Sequence, residues 1–178
     1  MAQQFTIDDR DVQALAVLRE QLMARRKSLR RTINDAAELV GRHGEFVSML
    51  ERGVSPSPKL SSLQLWAAGV DARVQFEFDG FYDVEHDDPE MLWLDGMRNR
   101  WGADAQMRLW VVAALRAWRI ARSIPMDVVA VGMGVHRHGA YRWEWESTDP
   151  LFARVAGTAR LLGTQLTMSL ILREDWVE

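Results

Sequence analysis

The side chains able to do covalent or metal chemistry are few in this 178-residue chain, and they are poorly arranged for it. There is no cysteine, which excludes disulfides, thiolate zinc sites, iron–sulfur clusters and a thiol nucleophile, and fits a reducing compartment. His136 and His138 come nearest to a metal-ligand spacing, but no third ligand stands in register with them. Glu85, His86, Asp87 and Asp88 would suit a cation, yet acidic runs of this kind are ordinarily just solvated. Gly132-x-Gly134 lacks the long glycine pattern and the preceding strand of a nucleotide-binding loop. No Ser/His/Asp set and no carboxylate pair stands out for nucleophilic or acid–base work. No catalytic residue, no metal and no cofactor is expected, and the chain does not read as an enzyme.

What remains is charge, and its distribution is uneven. The net charge of -3 hides two basic blocks around an acidic one. Residues 19–59 carry nine Lys/Arg against five Asp/Glu, residues 71–97 one against nine, and residues 98–160 ten against five. Phosphate binding depends on local charge, so nucleic acid stays open as a partner. With 48% hydrophobic and 26% charged residues the composition supports a packed core. The Trp content (eight, against two Tyr) points first to packing, and Trp66, Trp110 and Trp118 are expected in the core. The longest apolar run, Leu109 to Leu115, is closed by Arg108 and Arg116 and is too short to cross a bilayer. The first residues lack the basic and apolar regions of a signal peptide. No membrane association and a cytoplasmic location are the expectation.

The elements that would position these charges follow from periodicity. Val12, Leu15, Leu18 and Leu22 recur at helical spacing, so residues 10–29 read as an amphipathic helix. Thr32 with Asp35 is a capping-box start for a second helix through Val40, ended by Gly41. A third helix covers Gly44 to Glu51 and Gly53 ends it, after which Ser55-Pro56-Ser57-Pro58 must turn. Leu60, Leu63 and Ala67 mark a fourth helix stopping near Asp71. Val74-Gln75-Phe76-Glu77-Phe78 then alternates as a half-buried strand does.

Ala37-Glu38-Leu39-Val40-Gly41 is followed, ten residues after the glycine, by Glu51-Arg52-Gly53. Phe46-Val47-Ser48, Leu50, Pro58, Leu60 and Leu63-Gln64 complete a pattern. On these residues, 12–78 resemble the lambda-repressor-like (Xre-type) helix-turn-helix family, in particular its antitoxin-type members with an appended strand. The spacing has a physical reason. Ala37 is small enough for the second and third helices to cross closely, Gly41 makes the turn, and Val47 and Leu50 pin the third helix to the core.

The same pattern recurs. Adding 93 maps Leu22 on Leu115, Ala24 on Ala117, Arg26 on Arg119, Ala37 on Ala130, Gly41 on Gly134, His43 on His136 and Glu51 on Glu144. At an offset of 92, Pro58 falls on Pro150, Ala67 on Ala159 and Asp71 on Gly163, while Val74, Phe76 and Phe78 match Leu166, Met168 and Leu170. The competing reading makes Met126–Arg137 and Tyr141–Glu146 a β-hairpin, because Tyr141, Trp143 and Trp145 alternate. Seven identities in one register and a shared strand favour the repeat. The expected fold is mainly α: two helix-turn-helix modules of four to five helices each, each followed by one strand. The expected parts are a first module over 1–79, a connector over 80–104 and a second, divergent module over 105–178. The connector is acidic and then apolar, with a short helix around Met91 to Met97. In antitoxin-type relatives the appended strand pairs with its twin across a dimer. The resemblance therefore implies that strands 73–79 and 165–172 pair within one chain, as a covalent pseudo-dimer acting as a monomer or associating as a homodimer.

The resemblance also implies which residues touch DNA, since in the family they come from the first half of the third helix. In the first copy these are His43, Glu45 and Ser48, beside Gly44 and Met49, which depart from the family's usual polar residues. Arg42, Arg52, Ser55, Ser57 and Lys59 flank them and suit the DNA backbone. The second copy offers His136, Arg137, His138, Tyr141 and Arg142, with Thr148 for the backbone. Arg137 and Arg142 are the leading readers, because arginine matches guanine O6 and N7. Ile33 and Met126 stand where relatives often carry a phosphate-binding Gln, and Trp145-Glu146 replaces Arg52-Gly53. The function implied is a sequence-specific double-stranded DNA-binding transcriptional regulator, a bacterial or phage repressor. The alternative is an antitoxin-like module whose partner is a protein.

Overall fold

The computed structural model describes residues 7–79, 103–146 and 149–175, with the backbone alone for 103–109 and Glu146. The expected connector lies outside the described residues from 80 to 102, as does Thr148. The chain is mainly helical with one small sheet. It divides into two compact units, one of Ile7–Phe76 with the chain from Met168 onward, the other of Glu77–Thr167.

In the first unit, α1 (Asp9–Ser28) begins where Asp8 accepts the Arg10 N–H, and it ends in Arg25, Arg26 and Lys27. Acids at its start and bases at its end suit the helix dipole. Its buried stripe is Asp11, Leu15, Leu18, Leu22 and Arg26. Val12, expected on that stripe, is 50% exposed, because the stripe enters one position earlier, at Asp11. The Thr32 hydroxyl accepts the Asp35 N–H and the Asp35 carboxylate accepts the Thr32 N–H, which starts α2 (Ile33–Glu38) as the capping box requires. This helix stops two residues short of Val40. The N–H groups of Val40, Gly41 and Arg42 turn back to Ala37 and Glu38, and Gly41 takes a φ of +64°, a conformation that costs glycine little. Then come α3 (Gly44–Arg52) and α4 (Leu60–Ala68). Ala36, Ala37, Val47, Leu50, Leu60, Leu63, Trp66 and Ala67 fill the core between them.

The second unit repeats the plan with α5 (Ala103–Ala121), α6 (Met126–Gly132), α7 (Arg137–Glu146) and α8 (Phe152–Leu161). The hairpin reading of Met126–Glu146 is thereby corrected. On a helix, residues two apart lie about 200° apart, so Trp143 turns into the core while Tyr141 and Trp145 face out. Backbone irregularities recur at the same offsets: φ is +54° at both Arg30 and Ser123, +64° at Gly41 and +62° at Gly134, and positive again at Asp71 and Gly163. Trp118 is buried as expected, whereas Trp110 is only half-buried, its ring 5.9 Å from that of Phe78.

β1 (Ala72–Phe78) and β2 (Leu166–Leu172) form a two-stranded sheet, within one residue of the expected strands at each end. The Asp79 N–H donates to the Gln165 carbonyl (3.1 Å) and the Arg173 N–H to that of Asp71 (3.0 Å), an antiparallel register. That register sets Phe76 opposite Met168, its own counterpart in the repeat, which is how a strand pairs with a copy of itself. Val74 meets Leu170 and Phe78 meets Leu166, so the apolar residues share one face. Among the described residues no helix is long and apolar enough to cross a membrane.

Candidate nucleic-acid interface

Each module anchors its third helix through one buried ion pair. Arg26 on α1 grips Glu51 on α3 with two hydrogen bonds (2.6 and 2.9 Å) and spends a third donor on the Arg31 carbonyl (2.8 Å). Arg119 on α5 grips Glu144 on α7 in the same way (2.5 and 2.9 Å) and reaches the Ile124 carbonyl (3.1 Å). All three partners correspond at the offset of 93. Charge-assisted bidentate bonds between groups withdrawn from water fix both distance and rotation. The bond from Glu51 holds the Arg26 guanidinium above its ordinary pKa, against its burial. A second anchor is kept with a different side chain. Arg25 donates from Nε to the Val70 carbonyl (3.3 Å), and at the equivalent position the indole of Trp118 donates to the Leu162 carbonyl (3.2 Å).

With the back of each third helix fixed, the front is set by helical spacing. On α3 the exposed positions are Glu45, Met49 and Arg52, with Ser48 half-buried and His43 exposed just before the helix. Their counterparts are His138, Arg142, Trp145 and Tyr141 on α7 and His136 just before it, all exposed. Four of the residues expected to touch DNA in the second copy, Arg137, His138, Tyr141 and Arg142, are thus brought to one helix, with His136 just before it. The two faces differ electrostatically. On α3 the Arg52 guanidinium closes on Glu45 (2.9 Å), so the leading cation already faces a carboxylate. Arg42 lies over the Phe46 ring, 5.8 Å from its centroid. Ser55 and Lys59 are exposed and Ser57 half-buried in the loop after α3. On α7, Arg137 lies 3.4 Å from Asp127 with both side chains largely exposed.

At Gly44 the Asn34 side chain of α2 occupies the space a Cβ would take. A Cβ there would sit 2.0 Å from Oδ1 of Asn34, so a side chain at the start of α3 would require the exposed Asn34 side chain on α2 to move aside. In the second copy the position holds Arg137. Among the described residues no three His, Asp or Glu converge as a metal site, His136 and His138 included.

One feature of the α7 face escaped the sequence reading. The rings of Tyr141 and Trp145 lie 5.8 Å apart, and the guanidinium of Arg116 on α5 sits 3.1 Å from the Trp145 centroid. The i, i+4 spacing was available, but it was masked by the strand-like alternation with Trp143. Comparison of the chain with family models, with curated proteins and with solved structures found no match.

Proposed function

We propose that the chain is a sequence-specific double-stranded DNA-binding transcriptional regulator of the Xre-type helix-turn-helix kind. It acts as a bacterial or phage repressor in the cytoplasm, with two unlike modules in one chain. The observation that carries this reading is the α6–α7 pair. A tight turn joins the helices, Arg119 and Glu144 lock the back of the second one, and its front offers Arg137, His138, Tyr141 and Arg142 to solvent. Repression would follow from occlusion of a promoter. The test is selection of the purified protein against a random duplex library, repeated at several salt concentrations. One long asymmetric motif, bound more weakly as salt rises, is expected. Substituting both Arg137→Ala and Arg142→Ala should relax the motif at its guanines, each bidentate contact being worth about 1–3 kcal/mol of discrimination. An unchanged motif in that variant would overturn the readout assignment.

The Glu45–Arg52 pair and the exposed Met49 favour one second reading, an antitoxin-like module whose first face meets a protein. No enrichment of any duplex at low salt is the outcome that supports it.

A further inference from the structure

The two strands of the sheet are counterparts in the repeat, yet they are covered unequally. On β1 the apolar residues Ala72, Val74, Phe76 and Phe78 are all buried, and the opposite face carries the charges of Arg73 and Glu77. On β2 only Leu166 is buried, while Met168, Leu170, Ile171 and Leu172 are half-buried. Apolar area of the kind that β1 buries is thus left partly in water along β2. The backbone of β2 has a matching gap. The Asp79–Gln165 and Arg173–Asp71 bonds join odd-numbered residues, so in an antiparallel ladder Thr167, Ser169 and Ile171 turn their N–H and C=O groups towards β1. Those of Leu166, Met168, Leu170 and Leu172 point to the other edge, where no third strand lies among the described residues. Proteins ordinarily blunt such an edge with a charge, a proline or a bulge. From Leu166 to Leu172 there is no charge and no proline, and the even spacing between the two terminal bonds leaves no extra residue for a bulge.

We propose that the free edge of β2 is a docking surface for β2 of a second copy of this chain, which continues the sheet in the order β1-β2-β2-β1. The contact between twin strands that the resemblance implies is already made inside the chain, by β1 with β2; this one lies on the opposite edge and does not rest on the DNA reading. The strand is complementary to itself. A two-fold axis beside Ser169 sets Ser169 opposite Ser169 of the second copy. Met168 then meets Leu170 of that copy and Leu166 meets Leu172, so all the outward-directed backbone groups find partners and the apolar face runs on across the join. On the other face Thr167 meets Ile171, and at the ends Arg173 meets Gln165, so no like charges are opposed.

The experiment uses the full chain without DNA. Sedimentation should show a monomer–dimer equilibrium. Hydrogen exchange read residue by residue should find the Met168, Leu170 and Leu172 amides protected in the dimer and unprotected on dilution, with those of Thr167, Ser169 and Ile171 protected throughout. Ser169→Lys and Ser169→Glu each oppose like charges across the axis, and each should weaken the dimer about fivefold. Mixed in equal amounts, the two variants should form a dimer tighter than either alone. Ser169 is exposed, so neither change disturbs the monomer, and recovery on mixing separates a lost contact from a folding defect. A monomer at every concentration overturns the inference. So does protection of Met168, Leu170 and Leu172 that survives dilution, which would give the edge to another segment of the same chain. A mixture no tighter than its components overturns it as well. None of these readouts involves DNA, so the DNA reading stands or falls by its own test.

Discussion

The two modules of this chain keep one framework and present two different surfaces. Arg26–Glu51 and Arg119–Glu144 repeat bond for bond, down to the carbonyl that takes the third donor. On the exposed side of the third helix, Glu45, Ser48, Met49 and Arg52 become His138, Tyr141, Arg142 and Trp145. Their energetics explain the contrast. A buried guanidinium without its carboxylate is severely penalised, whereas an exposed residue can usually be exchanged within about 0.5 kcal/mol. Between these extremes the core trades in volume and donors rather than in residue types. Val47 and Leu50 become Ala140 and Trp143, all four buried, and the Arg25 donor becomes the Trp118 indole. A divergent repeat is therefore best recognised by which atoms meet, more than by which letters match.

Breaking the framework should hurt both modules alike. Glu51→Ala and Glu144→Ala each leave a guanidinium uncompensated, and each should cost about 3–5 kcal/mol. Urea denaturation measures the loss, and hydrogen exchange assigns it to α3 or α7. A large loss in one module with a negligible loss in the other would end the equivalence drawn here. The combined substitution Arg119→Met with Glu144→Leu should recover most of the stability, because removing both charges removes the penalty.

The close approaches of helices should separate the modules. At Gly69, just past α4, a Cβ would lie 2.3 Å from the Ala36 carbonyl oxygen, which belongs to the backbone and cannot swing aside. Gly69→Ala should cost about 1–3 kcal/mol. In the second module the glycine moves to the other partner, as Gly132 on α6, and the position equivalent to Gly69 holds Leu161. A Cβ on Gly132 would meet the tip of Leu161, 2.3 Å from Cδ1, and that side chain is 39% exposed and free to rotate. Alanine also favours the helix by about 1 kcal/mol, so Gly132→Ala should leave the melting temperature nearly unchanged. A larger loss at Gly132 than at Gly69 would reverse this reading.

Local rules carried the sequence reading furthest. The Thr32–Asp35 cap, the Gly41 turn and the α3 end at Gly53 each involve residues a few positions apart, and each occurs where expected. The repeat then extended that reading to α6 and α7, although Tyr141, Trp143 and Trp145 alternate like a strand. Contacts across the chain were not legible in the same way. Arg26 and Glu51 are 25 residues apart in the sequence, as are Arg119 and Glu144; their identities were visible in the repeat, but no spacing rule says that they touch. Val12 failed because a period alone does not tell which of two adjacent positions enters the core, and here Asp11 does. The aromatic pair on α7 needed the helix to be known before its spacing meant anything.

The smallest contrast lies at the start of the second helix of each module. α2 begins with the reciprocal cap of Thr32 and Asp35, whereas α6 begins at Pro125, which has no side-chain cap, and Val128 takes the place of Asp35. The hydrogen bond that the Asp35 carboxylate accepts from the Thr32 backbone N–H, aided by the Thr32 hydroxyl, holds its pKa below the ordinary aspartate value. A carboxylate with a depressed folded pKa adds stability above its unfolded pKa, and that stability fades as pH falls through the folded value. Asp35→Asn should therefore lower the urea midpoint near neutral pH and converge on the unaltered protein as the solution is taken from about pH 7 to about pH 3. Val128→Thr, at the equivalent and half-exposed position of α6, should give a difference that does not change with pH. A pH-independent difference for Asp35→Asn would mean that the cap is held by the Thr32 hydroxyl alone, and that the two helix starts differ by one hydrogen bond with no contribution from the carboxylate's charge.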